Sequence, residues 1–119
     1  MGNYIMSKSD EKRLYDTCKF VRDYITLYTQ ARHYNGTAVA EFNNSELDAL
    51  GVGLVFFFDT REEIDFEYDR IALEIRSFDE ENFVSEDIYG DDIFDVHKIH
   101  DTAVALITQY IDEFSSPDA

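Results

Sequence analysis

Between Arg61 and Arg70 the chain reads REEIDFEYDR, a run in which Glu63, Asp65, Glu67 and Asp69 alternate with Ile64, Phe66 and Tyr68. Carboxylates are the chemically active groups this sequence holds in quantity, and their uses are acid–base catalysis, cation binding and electrostatic recognition. On an extended strand alternate residues share a face, so the four acids would form one row spaced at twice a rise of about 3.3 Å. That spacing is close to the separation of successive phosphates on a nucleic-acid strand. The same alternation also suits the solvated face of a half-buried strand.

Catalysis and metal binding need a supporting constellation, and none emerges. DEENFVSEDIYG, from Asp79, has the length of an EF-hand loop, but Phe83 takes its fifth position and Val84 replaces the glycine at its sixth. His97 and His100 have a spacing that can hold a metal, yet no third ligand is signalled nearby. Gly51 and Gly53 do not make a phosphate loop, and no Ser, His and Asp fall in a catalytic order. The chain has no Trp, one of the usual platforms for stacking sugars. The expectation is a protein that is not an enzyme and takes no metal or cofactor.

The elements that must position the acids come from periodicity. Leu14, Cys18, Val21, Ile25 and Tyr28 recur at helical steps after the cap-like Ser7 and Asp10, giving a long first helix ending at Asn35 and Gly36. TAVAEF, residues 37–42, reads as a short strand, and Asn44 or Ser45 caps one helical turn before Gly51. GVGLVFFFD, residues 51–59, is an apolar run expected as a strand buried on both faces. The next segment fits two periods. Ile64, Tyr68, Ile71, Ile75 and Phe78 are helical in spacing, whereas Ile64, Phe66, Tyr68 and then Ile71, Leu73, Ile75 alternate as strand halves. A hairpin with residues 51–59, bulged near Asp69 and Arg70, is preferred, because two helices need at least three strands to cover. FDEENFVSEDIYGDD, residues 78–92, reads as a surface connection, and Ile93, Val96, Ala103, Ile107, Tyr110 and Phe114 mark a second long helix. The fold expected is α+β: one domain over residues 1–119, with two long terminal helices packed on a small antiparallel sheet and residues 1–6 a flexible tail.

Charge is the outlier in composition. Acidic residues number 26 against 10 basic ones, a formal net of −16, while 45% hydrophobic residues still supply a packed interior. The excess is uneven. Residues 1–35 carry a net of +2, and the stretch from Asp59 to Asp95 holds 15 acids against Arg61, Arg70 and Arg76, a net of −12. If the row Glu63, Asp65, Glu67 and Asp69 adjoins Asp79, Glu80, Glu81, Glu86 and Asp87, with Asp91, Asp92 and Asp95 at the head of the last helix, the result is an extended acidic ridge. In size, acidity and its EIDFEYD and DEENFVSEDIYGDD segments, the chain resembles the prokaryotic DNA-mimic proteins, which include phage antirestriction proteins and a small Neisseria mimic that binds the histone-like protein HU. The resemblance implies competition with DNA for a basic DNA-binding protein, with these carboxylates standing in for phosphates.

A rival expectation uses the same electrostatics with a smaller hot spot of Tyr and Asp: an immunity or inhibitor protein that blocks a basic nuclease toxin or a phage-defence effector. An acidic assembly domain whose charge serves solubility is a third. Direct binding to nucleic acid or an anionic membrane is disfavoured by the charge. The lone Cys18 suits a reducing compartment and the helix core, and no apolar run is long enough for a membrane span or a signal peptide, so a cytoplasmic monomer is expected.

Overall fold

The computed structural model describes residues 4–28, 37–63, 66–77 and 82–114. Helix α1 spans Lys8–Tyr28, strand β1 Thr37–Phe42, the short helix α2 Ser45–Ala49, and strands β2, β3 and β4 Val52–Glu63, Phe66–Ser77 and Asn82–Tyr89. A 3₁₀ helix, Gly90–Phe94, leads into the last helix, α3, Val96–Phe114. The arrangement is α+β as expected, with a helix at each end of the chain packed on a four-stranded antiparallel sheet of order β1-β2-β3-β4.

One face of that sheet is the core. Alternation puts Val52, Leu54, Phe56 and Phe58 of β2 and Ile71, Leu73 and Ile75 of β3 on it, all fully buried or nearly so. Leu14, Cys18, Val21 and Ile25 of α1 and Ile99, Ala103, Ile107 and Tyr110 of α3 cover them at helical spacing. Burial pushes the Cys18 thiol up to about 12, which leaves it an inert core group. The other face is open. It carries Val55 and Phe57 half-buried, so β2 is fully buried on one face only, not on two.

The strand reading of residues 66–77 holds, and with it the hairpin, but three expectations are corrected. Register runs unbroken from Val52 opposite Ser77 to Glu63 opposite Phe66, with no bulge at Asp69 or Arg70. Inward-facing Ile71 continues the parity of Leu73 and Ile75, so a bulge there would expel it from the core. The register shifts instead at Ala38–Ala40 and at Ile75–Arg76. Residues 82–89 form a strand rather than a surface connection, because Val84 and Ile88 pair with Ile75 and Ile71 on the core side. Exposed Glu86 between them hid the alternation. The chain before Ser7 is docked over residues 4–6: Met6 is buried and the Tyr4 N–H donates to Asp112 Oδ1 at 2.8 Å. The expected helix end at Asn35 and Gly36 lies outside the described residues.

Local chemistry closes the ends of the elements. The Asp10 N–H donates to Ser7 Oγ at 3.1 Å, the cap expected for α1. Asn44 is the one buried polar side chain among the described residues, and it joins three segments. Its Oδ1 accepts from the Leu47 N–H at 2.9 Å to cap α2, while its Nδ2 donates to the Tyr4 hydroxyl at 3.0 Å and to Asp10 Oδ2 at 3.3 Å. Replacing Asn44 with Ala should cost about 2 kcal/mol, combining a lost cap with stranded buried partners, measured as a fall in the urea midpoint at unchanged slope.

Candidate partner-binding surface

Strand pairing fixes where the acids stand. β1 accompanies β2 only over residues 54–58, and β4 accompanies β3 only over residues 70–76. Beyond Asp59 and Arg70 the β2–β3 hairpin therefore continues as a two-stranded ribbon, Thr60–Glu63 against Phe66–Asp69, with no neighbouring strand on either side among the described residues. The row expected on one strand is thereby corrected. Glu63 closes β2, Asp65 lies outside the described residues, and Glu67 and Asp69 belong to β3. Division of the row between strands brings in Glu62, which no single-strand pattern singled out. The register sets Glu62 directly opposite Glu67 and Asp69 opposite Thr60.

At the base of the ribbon the charge is neutralised. On the open face Arg70 Nε and Nη2 donate to the two carboxylate oxygens of Asp59 at 2.8 and 3.1 Å, and Nη1 donates to Asp87 Oδ1 at 2.6 Å. The Tyr89 hydroxyl donates to the second oxygen of Asp87 at 2.8 Å. All three charged groups are largely withdrawn from water. Burial alone would lower the Arg70 pKa, but its bonds to Asp59 and the charges of Asp59 and Asp87 more than offset this and raise it. Asp87 is accordingly a structural partner of Arg70 and not a free carboxylate of the ridge. Arg70 would have signalled this had the register been known, since it falls opposite Asp59.

The remaining acids divide by task. Asp95 caps α3, accepting from the N–H groups of His97 and Lys98 at 3.0 and 3.3 Å, so its charge serves the helix. Asp91 and Asp92 are exposed on the 3₁₀ helix that the positive φ of Gly90, 64°, allows the chain to enter after β4. Because Tyr89 pairs with Arg70, that helix begins beside the base of the ribbon. Glu86 is exposed on the edge strand at some distance along β4, and Asp79, Glu80 and Glu81 lie outside the described residues. The structure thus brings Glu67, Asp69, Asp91 and Asp92 to one end of the sheet and withdraws Asp87 and Asp95 from the set.

Two exposed aromatic residues join this end: Tyr89 and Phe94 keep 44% and 40% of their surface in water beside Asp91 and Asp92. Elsewhere, on α1, Lys12 pairs with Asp16, Arg13 with Asp10 and Arg22 with Asp23 at 2.8–3.2 Å. Tyr15 packs against the rings of both His97 and His100, and among the described residues no group of three or more His, Cys, Asp or Glu is placed to hold a metal. Among the described residues no helix is long and apolar enough to cross a membrane. Comparison with protein families, with curated proteins and with solved structures found no match.

Arg70 should be the most sensitive position of this surface. Arg70→Met leaves two carboxylates facing each other across the open face and should destabilise by about 3 kcal/mol, whereas Asp59→Asn with Arg70→Met together should recover part of the loss in a double-mutant cycle.

Proposed function

We propose that the protein binds a basic DNA-binding protein, of the histone-like kind, and competes with DNA for it through the acidic ribbon and the adjoining Asp91 and Asp92. One observation carries the reading: two like-charged residues, Glu62 and Glu67, stand opposite each other in the register of a ribbon that has no neighbouring strand among the described residues. Like charges opposite each other in an antiparallel pair destabilise it by some tenths of a kcal/mol, and solubility needs far less charge than this chain holds. A partner that presents Lys and Arg turns that local cost into attraction. The ribbon is narrow enough to enter a cleft shaped for a nucleic-acid backbone, and the resemblance of the acidic segments to DNA mimics points the same way.

Exposed Tyr89 and Phe94 favour a second reading, in which the same end blocks the active site of a basic nuclease toxin or a phage-defence effector. Aromatic anchors among charges are the composition of a hot spot, and a hot spot is more specific than a charge match.

The two are separable by three measurements on the intact chain. For a mimic, affinity for a histone-like protein falls steeply with salt and is abolished by excess duplex DNA; a ternary complex with DNA would sink the idea. Glu62→Gln with Glu67→Gln should raise the unfolding midpoint by the equivalent of about 0.5 kcal/mol while weakening the complex roughly tenfold. Phe94→Ala should change a mimic's affinity by less than about threefold, and an inhibitor's by thirtyfold or more, as read by calorimetric titration.

A further inference from the structure

We propose that the outer edge of β4 accepts an extended, Lys- or Arg-rich segment of the partner as a fifth strand, with one cationic side chain seated in the groove between Glu86 and α3. The inference rests on the reading of the protein as a ligand for a basic partner, and it names a contact separate from the ribbon.

The sheet has two edges, and they differ. Each edge strand lies against a helix, but the register shift of β1, at Ala38–Ala40, falls in its middle and blunts it as a template for pairing, whereas that of β4 falls at its start, between Asn82 and Val84. β4 pairs with β3 alone and keeps an unbroken register from Val84 to Tyr89, so its outward backbone groups face no strand among the described residues. Ser85 and Glu86 at its middle are exposed. An extended peptide gains main-chain hydrogen bonds at such an edge, and its alternate side chains then meet whatever flanks the strand.

Charge decides which peptide. Two copies of this chain joined through β4 would oppose Glu86 and its neighbours to their own counterparts, on molecules each carrying a formal net of −16. A cationic strand reverses that sign. Beside β4 a groove of about 380 Å³ runs along α3, with Glu86 and Asp101 supplying carboxylates and Ala105 and Leu106 an apolar wall. The methylenes of a Lys or Arg can lie on the apolar wall while the head reaches a carboxylate. Lys98 lines the same groove and opposes a cation there, which gives the site a variant whose effect has the opposite sign.

The test uses the full chain and an eight-residue peptide of alternating Lys and Thr, compared with the same peptide methylated at every backbone nitrogen, which keeps its charge and loses its N–H donors. Expected are slowed hydrogen exchange at residues 84–88 with the unmodified peptide, and at least tenfold weaker binding of the methylated one. Glu86→Gln and Asp101→Asn should each weaken binding by about threefold or more, and Lys98→Ala should tighten it. Unchanged exchange elsewhere checks that these surface variants stay folded. Equal binding of the two peptides, or protection confined to residues 60–69, overturns the edge site and leaves the basic-partner reading standing. Absence of binding by either peptide also overturns it, and extends to that reading only if a histone-like protein fails to bind as well.

Discussion

A single apolar layer, between the two long helices and one face of the sheet, sets the direction of every strand residue. Phe56 and Phe58 of β2 and Ile71, Leu73 and Ile75 of β3 must all face it, and a slip of one residue in the β2–β3 register would turn that whole set to water. With those residues committed inward, Asp59 and Arg70 are necessarily outward and opposite each other. The ion pairs on the open face are a consequence of how the core is packed.

That constraint also sorts the charge. Asp59 and Asp87 on the outward side of the sheet meet Arg70, and Asp95 caps a helix with a charged oxygen as Ser7 and Asn44 do with neutral ones. Lys12, Arg13 and Arg22 of α1 are matched by acids on the same helix. Where the core layer stops, Glu62 and Glu67 stand opposite each other in register on the ribbon past Asp59, and Asp91 and Asp92 are exposed on the 3₁₀ helix after β4. Exposed pairs such as Lys12 with Asp16 add little to stability, whereas the withdrawn Arg70 cluster is costly to break because each charge depends on the others for its solvation.

The ribbon extends beyond the four-stranded part of the sheet. An isolated two-stranded hairpin is marginal in water, and here, with no further strand beside it among the described residues, it continues the four-stranded sheet and sets Glu62 opposite Glu67. On the proposed function, a partner of the opposite sign completes this narrow, charged element. This is a different device from a flat charged surface, on which carboxylates keep their water and are screened within about 10 Å at ordinary salt.

Much of the fold was legible in local pattern. The four- and three-residue steps of Leu14, Cys18, Val21 and Ile25, the caps at Ser7 and Asn44, and the apolar run from Val52 to Phe58 each depend on neighbours within a turn or two of chain, and each defines an element in the structure. Residues 82–89 were not legible, because Glu86 breaks the apolar alternation at a position whose exposure follows from lying on an edge strand. The net charge, and its confinement to the chain after residue 41, belong to the sequence alone. Which carboxylates are neutralised or engaged as caps was decided only by tertiary structure. Register placed Arg70 between Asp59 and Asp87 and Glu62 opposite Glu67, and helix α3 took Asp95. Charge is a sum over residues and can be counted in one dimension, whereas neutralisation and repulsion depend on distance across strands, which the one-dimensional pattern does not contain.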